Sequence, residues 1–165
     1  MIITNIVYYL KLNKMTIPSP KYLYRIIHIN NLPIIIANKG ITCPSHSYAN
    51  TDYIRIGDDS LIAHRREMPI RLNPGGTFDD YVAFYFGRRS PMLYNIKNGY
   101  HHLSQIFNTE EGFAHIDWRI INASKWFDTW DDPDRKRRKQ AEFLIYKSLP
   151  IEALIALTYC FLFYK

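Results

Sequence analysis

The sequence contains very little cysteine. Cys43 and Cys160 are the two cysteines among 165 residues, and no CxxC pair occurs. Two thiols so far apart in the chain provide neither a disulfide framework nor the paired spacing of a zinc site. The cysteine content therefore predicts a protein of a reducing compartment, with no zinc site built on paired cysteines.

Long apolar runs are also missing. The opening stretch MIITNIVYYLKLNK has no positive segment ahead of its short apolar run, and no small-residue cleavage site follows it. The tail IEALIALTYCFLFYK carries Glu152 and falls short of the roughly 20 apolar residues of a membrane-spanning helix. We therefore predict a cytoplasmic protein that contacts no membrane. Met15 is an alternative start, so residues 1–14 are predicted to be an N-terminal extension ahead of a single domain, residues 15–165.

Several catalytic signatures are absent as well. The chain has no GxGxxG, P-loop, HExxH or GxSxG motif, so Rossmann, P-loop, zincin and serine-hydrolase interpretations lack support. What it has in excess is positive charge, with 21 Lys and Arg against 15 Asp and Glu and a net charge of +6. An acidic partner such as nucleic acid fits this excess, although many basic proteins bind no polyanion.

Apolar periodicity predicts strands and helices in no regular alternation, which favours the α+β class. Residues 21–28 and the runs YVAFYF and AEFLIY are predicted to be strands, the last two with alternating faces. A short helix is predicted after Asn30 or Asn31, with Pro33 in its first turn, and another across DDSLIAHRR. HIDWRIINASKWF is predicted to be an amphipathic helix, and DTWDDPDRKRRKQ a charged loop.

One carboxylate, Glu142, lies at the start of the apolar run AEFLIY. On a strand it shares a face with Leu144 and Tyr146. A carboxylate among apolar neighbours is costly to bury unless it is paired, so we expect it at a strand end that faces a cleft or a cation. Two interpretations stay open: a structural carboxylate that pairs with Arg138, and a catalytic one.

Cations cluster at three places along the chain: Arg65 and Arg66, Arg88 and Arg89, and the run 135–139. Arginines beside aromatic residues suit unstacked bases and nucleotide ligands. The run 135–139 would neutralise nucleic-acid phosphates. Three acids directly precede it, however, and a charge run is usually a solvated face.

His28 ends the first predicted strand, directly before a helix N-terminus. In a nucleotide site its imidazole would donate to a ribose hydroxyl, with helix amides nearby for a phosphate. A single histidine at a strand end is more often structural, so this residue alone decides nothing.

Five segments, in this order, resemble the DarT toxins, the DNA ADP-ribosyltransferases of bacterial toxin–antitoxin systems: LYRIIHINNLPIII, IAHRREMPI, GGTFDDYVAFYFGRRSPMLY, HIDWRIINASKWFD and DPDRKRRKQAEFLIY. The resemblance implies an ADP-ribosyltransferase fold, a split β-sandwich with flanking helices that binds NAD in a central cleft. It also implies transfer of ADP-ribose from NAD to a base in single-stranded DNA, thymine in the better-known branch.

The resemblance also implies roles for individual residues. Glu142 matches the catalytic glutamate in QAEFL, and Arg65 or Arg66 matches the arginine that acts on the base. The implied NAD-binding residues are His28, Asn31, Leu32, Tyr81 and Tyr85, and the implied DNA-binding residues are Arg88, Arg89, Arg137 and Arg138. A carboxylate suits this chemistry because it stabilises the positive charge that develops on the ribose as nicotinamide leaves.

The implied cofactor is NAD, as the donor of ADP-ribose, and no metal is needed. The implied partners are single-stranded DNA and a macrodomain antitoxin that reverses the modification, and we expect a monomer. Bases in a duplex are stacked and paired, which explains a preference for single strands.

The chain departs from the family pattern in two places. Between HHLSQ and FAHIDW the pattern predicts several dozen residues with a TDGHA-like block, and only a handful intervene here. IALTYCFLFYK replaces a closing polar strand and helix. A missing strand would deprive its neighbours of backbone partners and leave the fold incomplete. The alternative function is therefore an inactive remnant that binds nucleic acid or antitoxin only.

Overall fold

The computed structural model describes residues 2–10, 21–56, 59–87, 106–109, 111–125 and 127–161. The strands are β1 (Ile2–Leu10), β2 (Lys21–His28), β3 (Gly40–Thr42), β4 (Tyr81–Tyr85), β5 (Ile106–Phe107), β6 (Glu142–Tyr146), β7 (Ser148–Pro150) and β8 (Leu154–Phe161). The α-helices are α1 (Leu32–Ala37), α2 (Asp59–Arg66), α3 (Trp118–Asn122) and α4 (Arg135–Lys139). Strands and helices do not alternate regularly, which confirms the α+β class.

Six strands form one sheet in the order β5-β6-β4-β2-β1-β8, and β3 and β7 form a second, two-stranded sheet. All neighbours run antiparallel except β5 and β6, which are parallel. β2 and β4 are joined through a single residue pair, Tyr24 with Tyr85. The large sheet therefore nearly divides between β2 and β4, as expected for a split β-sandwich.

The hydrophobic core lies on one face of β4 and β6 and extends to β2, α1, β3 and α3. Phe86 is central to it and meets the rings of Phe113, Trp118 and Phe143 edge to face. Because side chains alternate along a strand, the opposite face of β4 and β6 is left for other contacts. The helices are too short to be stable alone and depend on this packing.

Two helix predictions are confirmed. α1 follows Asn31 and has a proline in its first turn, and α2 ends at Arg66, three residues before Pro69. Proline lacks a backbone N–H and fixes its own φ, which explains both positions. α2 therefore presents Arg65 and Arg66 in its last turn.

One loop prediction is wrong, and one helix prediction is confirmed over part of its length. The stretch predicted to be a charged loop contains α4, because acids before the helix pair with arginines three residues later: Asp132 with Arg135 and Asp134 with Arg137. The amphipathic helix predicted over HIDWRIINASKWF is limited to α3, which Asp117 caps by accepting from the backbone N–H of Ile120.

Both ends of the described chain contribute strands to the large sheet. Residues 154–161 form β8 and pair with β1, so the expectation that the closing strand is lost is wrong. β1 lies inside residues 1–14, which the sequence assigns to an extension, and it pairs with β2 and β8. A chain begun at Met15 would lack β1, and the start site stays a prediction. No helix that the structure describes has the length and apolar character to cross a membrane.

Candidate active site

Glu142 is the first residue of β6, and its side chain is 1% exposed. In the antiparallel register with β4 it lies opposite Tyr85, and in the parallel register with β5 it lies opposite Ile106. The predicted alternation is confirmed, since Glu142 falls on the face of β4 and β6 that carries Tyr81, Ala83 and Tyr85 and lines a cavity. A carboxylate buried this deeply requires a partner.

Arg65 is that partner. Its Nη2 donates to Oε2 of Glu142 at 2.6 Å, across 77 residues of sequence. The guanidinium also lies over the ring of Phe78, with Cζ 4.4 Å from the ring centre. Burial alone would lower the pKa of Arg65, but the charge and hydrogen bonds of Glu142 and Tyr85 together outweigh burial and raise that pKa. The pairing of Glu142 with Arg138, left open by the sequence, is not formed.

Two tyrosines complete the wall around the pair. Burial and then the charge of Glu142 raise the pKa of Tyr85 above its ordinary value, so its phenol stays protonated and hydrogen-bonds with Glu142. Tyr81 donates its hydroxyl to the carbonyl oxygen of Gly75 at 2.6 Å. Both tyrosines line the cavity, and the NAD-binding role that the family resemblance implies for them stays a prediction.

Arg66 faces a different carboxylate. Its Nε donates to Oδ2 of Asp79 at 2.9 Å, and its side chain is 45% exposed. Arg65 and Arg66 follow each other in α2, where successive side chains point about 100° apart. The geometry therefore brings Arg65, and not Arg66, to Glu142, although both line the cavity.

The cavity has a volume of about 500 Å³, within the range of small-molecule sites. Its walls come from β2, α1, β3, α2, β4, the start of β6 and the loop over residues 43–56. The charged residues in its lining are Arg25, Arg55, Arg65, Arg66, Asp79 and Glu142. Cations outnumber carboxylates, so the cavity favours an anionic ligand. Within the described residues no cluster of three or more His, Cys, Asp or Glu is placed to hold a metal ion.

Three residues predicted to bind NAD lie outside the lining of this cavity: His28, Asn31 and Leu32. Asn31 is fully buried, and its amide donates to the carbonyl oxygen of Ile54 and accepts from the N–H of Ile54, each at 2.8 Å. Because Ile54 lines the cavity, Asn31 holds one cavity wall in place. His28 accepts from the N–H of Asn30 through Nδ1, and Leu32 packs against the core.

The residues predicted to bind DNA divide into three cases. Arg88 and Arg89 lie outside the described residues. Arg137 is 46% exposed and pairs with Asp134 through Nε at 2.6 Å. Arg138 is 22% exposed and pairs with Asp117, Asp132 and Asp134, so it joins the segment before β6 to α3. Contact of these four residues with DNA stays a prediction.

Arg25 is a cavity residue that the sequence reading missed. It lies in β2, within the apolar run LYRIIH, and its Nη1 donates to the carbonyl oxygen of Ala83 at 2.7 Å. A charge inside an apolar strand is costly to bury, which is the argument that singled out Glu142. The same argument applied to β2 would have found Arg25.

A family model described as "ssDNA thymidine ADP-ribosyltransferase, DarT" matches residues 24–105 and 101–159. The two matched segments overlap at residues 101–105, directly before the stretch where the sequence departs from the family pattern. A match in two parts is what an internal stretch missing from this chain would produce.

Curated relatives and solved structures agree with this match. A DNA ADP-ribosyl transferase from Escherichia coli O127:H6 is 30% identical over 173 residues, covering 83% of this chain and 79% of the relative. Another, from Thermus sp. (strain 2.9), is 31% identical over 172 residues, covering 83% of this chain and 80% of the relative. The structure of Thermus sp. 2.9 DarT in complex with ADP-ribosylated ssDNA superposes on this chain with a TM-score of 0.72 and 28% identity, covering 86% of this chain and 82% of that chain. The structure of the same protein in complex with NAD+ superposes with a TM-score of 0.69 and 29% identity, covering 86% of this chain and 83% of that chain. The chain therefore belongs to the DarT family.

Proposed function

We propose that this protein transfers ADP-ribose from NAD to a base, thymine first, in single-stranded DNA. The observation that carries the proposal is the ion pair of Arg65 with Glu142 on the wall of a cavity with excess positive charge. Family membership supports it, because the family model describes a thymidine ADP-ribosyltransferase. Glu142 is proposed as the catalytic carboxylate and Arg65 as the arginine that acts on the acceptor base.

The cavity fits NAD in size and charge. When bound, NAD supplies a ribose whose bond to nicotinamide is exchanged for a bond to the acceptor. The carboxylate of Glu142 provides negative charge where positive charge grows on the ribose, and burial strengthens that effect. Tyr81 and Tyr85 provide aromatic surface beside it.

Arg65 is suited to the acceptor side of the reaction. A ring nitrogen of thymine must lose its proton to form the new bond, and a fixed guanidinium stabilises the negative charge that this leaves on the base. Arg65 is fixed on two sides, by Glu142 and by the ring of Phe78. Arg66 belongs to the neighbouring pair with Asp79, and we propose no direct role for it in the transfer.

The cellular setting is also proposed from the family. We infer that the protein acts as a toxin in the bacterial cytoplasm, as a monomer, and that a macrodomain antitoxin removes its modification. The exposed Arg137, together with Arg88 and Arg89, is proposed to contact the DNA backbone, where each cation adds a salt-sensitive contribution to binding.

A mass-spectrometric transfer assay tests the proposal. The purified full chain is incubated with NAD and one of two single-stranded oligonucleotides, which differ only in whether thymine is present. We expect the thymine-containing strand alone to gain the mass of one ADP-ribose. Glu142→Gln, which keeps the side-chain shape, should lower the rate by a hundredfold or more, since electrostatic groups of this kind contribute about that much. Arg119→Gln, which changes an exposed arginine of α3 outside the cavity lining, is the control and should keep most of the activity.

The inactive remnant is the second candidate, because the family match is divided where an internal block is missing. A folded wild-type protein that binds the oligonucleotide and modifies neither strand would favour the remnant. Folding is checked by a cooperative thermal unfolding transition of the same preparation.

A further inference from the structure

Arg25 lies at the point where the large sheet nearly divides. Its neighbour Tyr24 forms the single residue pair between β2 and β4, and beyond that pair the two strands share no ladder. Arg25 bridges the gap through Nη1, which donates to the carbonyl oxygen of Ala83 on β4. This bond fixes the guanidinium in the cavity wall, close enough to Tyr85 for its charge to act on that phenol.

The remaining donors of Arg25 are unused within the described residues. Nε is buried and has no hydrogen-bond partner in the part of the chain that the structure describes. Among those residues, the one hydrogen bond of the side chain goes to a neutral carbonyl, and the guanidinium forms no ion pair with a carboxylate. The other three arginines of the lining differ, since Arg65 is paired with Glu142, Arg66 is paired with Asp79, and Arg55 is exposed to solvent.

Removing a guanidinium from water without an opposite charge beside it costs free energy. An anionic ligand that pairs with the guanidinium offsets this cost. In NAD the negative charge is concentrated on the diphosphate. Guanidinium groups bind phosphate oxygens with paired N–H donors, and such charge-assisted hydrogen bonds are stronger than neutral ones. A DNA backbone is a weaker candidate, because Arg25 lies in the wall of the cavity with its side chain already fixed on Ala83.

We propose that Arg25 binds the diphosphate of the NAD donor and so positions NAD between β2 and β4. This inference rests on the proposed function and names the residue of the same site that takes the anionic part of the donor. In this arrangement Glu142 acts at the ribose and Arg65 at the base.

Isothermal titration calorimetry with two separate ligands tests this role: ADP-ribose, and an oligothymidylate. Four proteins are compared, namely wild type, Arg25→Gln, Arg25→Lys and Arg119→Gln. Arg119 is exposed on α3 and is not in the cavity lining, so its variant controls for the loss of one positive charge. Neither titration requires catalysis.

For Arg25→Gln we expect a Kd for ADP-ribose roughly tenfold to hundredfold above wild type, the range for a lost charge-assisted hydrogen bond. The Kd of Arg25→Lys for ADP-ribose should lie between those of wild type and Arg25→Gln, because lysine keeps the charge and loses the paired donors. Oligothymidylate binding should stay within about twofold of the Arg119→Gln control. The KM for NAD should rise more than kcat falls, since the lost contact is to bound donor.

Three results would overturn the proposal: an unchanged affinity of Arg25→Gln for ADP-ribose, a loss confined to oligothymidylate, or equal losses in the lysine and glutamine variants. Equal losses would mean that Arg25 only braces Ala83. If Arg25→Gln does not fold, Arg25→Lys decides, and an unchanged affinity for ADP-ribose would then refute the paired contact.

The outcome is separable from that of the proposed function. A wild-type protein that binds ADP-ribose through Arg25 but modifies no DNA would refute the transfer and keep this inference. A wild-type protein that modifies DNA, with an Arg25→Gln variant of unchanged KM for NAD, would refute this inference alone.

Discussion

Replacing Arg65 by methionine would leave the carboxylate of Glu142 buried without its partner. Glu142 is 1% exposed, and breaking a buried ion pair from one side costs about 3–5 kcal/mol. The side chain of Arg65 is itself 24% exposed, so some water reaches the pair, and we take the lower end, about 3 kcal/mol. Up to about 1 kcal/mol of this comes from the lost contact with Phe78.

Urea unfolding of four proteins measures this effect: wild type, Arg65→Met, Glu142→Gln and the double variant. With a slope of about 2 kcal/mol per molar urea, Arg65→Met should lower the unfolding midpoint by about 1.5 M. The double variant should be more stable than Arg65→Met, because no uncompensated charge is left in it. The coupling free energy of this double-mutant cycle should be about 2 kcal/mol.

Arg66→Met is the matched control. It removes the neighbouring arginine of the same helix, whose pair with Asp79 is more exposed, and should cost at most about 1 kcal/mol. The reasoning fails if Arg65→Met and Arg66→Met lose equal stability, or if the losses of Arg65→Met and Glu142→Gln simply add.

Three further predictions concern stability and DNA binding. Hydrogen bonds, first of all from Lys147, hold the pKa of Asp80 well below its ordinary value. The ionised Asp80 therefore contributes to the free energy of unfolding above pH ~4, and this contribution is lost as pH falls through the folded-state pKa. Asp80→Asn should therefore be less stable at neutral pH and lose less stability than wild type between about pH 5 and pH 2; parallel urea midpoints would contradict this. Gly40→Ala places a Cβ 2.4 Å from the carbonyl oxygen of Leu149 at a φ of +157°, so its thermal midpoint should fall by several degrees, and an unchanged midpoint would refute the clash. Arg138→Ala should lower the free energy of unfolding by about 1–2 kcal/mol more than Arg137→Ala does. Arg137→Ala, in turn, should reduce the salt dependence of oligonucleotide binding more than Arg138→Ala does. The reverse order in either assay would contradict these roles.

The strands around the site could be predicted because their signals are local. AEFLIY and YVAFYF alternate with the period of a strand, and β6 and β4 contain them with Glu142 on the predicted face. The start of α1 and the end of α2 followed from proline positions. Such signals depend on a residue and its near neighbours in the chain.

α4 was not predicted from the sequence, because its run of charges is typical of a loop as well as of a helix. A run of five cations with acids before it reads as a solvated loop, and the helix depends on which acid meets which arginine. Arg138 forms ion pairs with Asp132 and with Asp117, which is 21 residues away in the sequence. A pairing over that distance depends on how α3 packs beside α4.

The sequence by itself determined the chemistry available to this protein: a carboxylate at the start of an apolar strand, two successive arginines at a helix end, and tyrosines on one face of a neighbouring strand. Tertiary structure alone decided that Glu142 meets Arg65, and that Arg25 reaches Ala83 across 58 residues of sequence. The physical reason is that adjacent residues of α2 point in different directions, so the docking of that helix beside residues 78–80 selects which arginine reaches Glu142. The free energy of that docking comes from contacts between segments far apart in the chain, which no local pattern records.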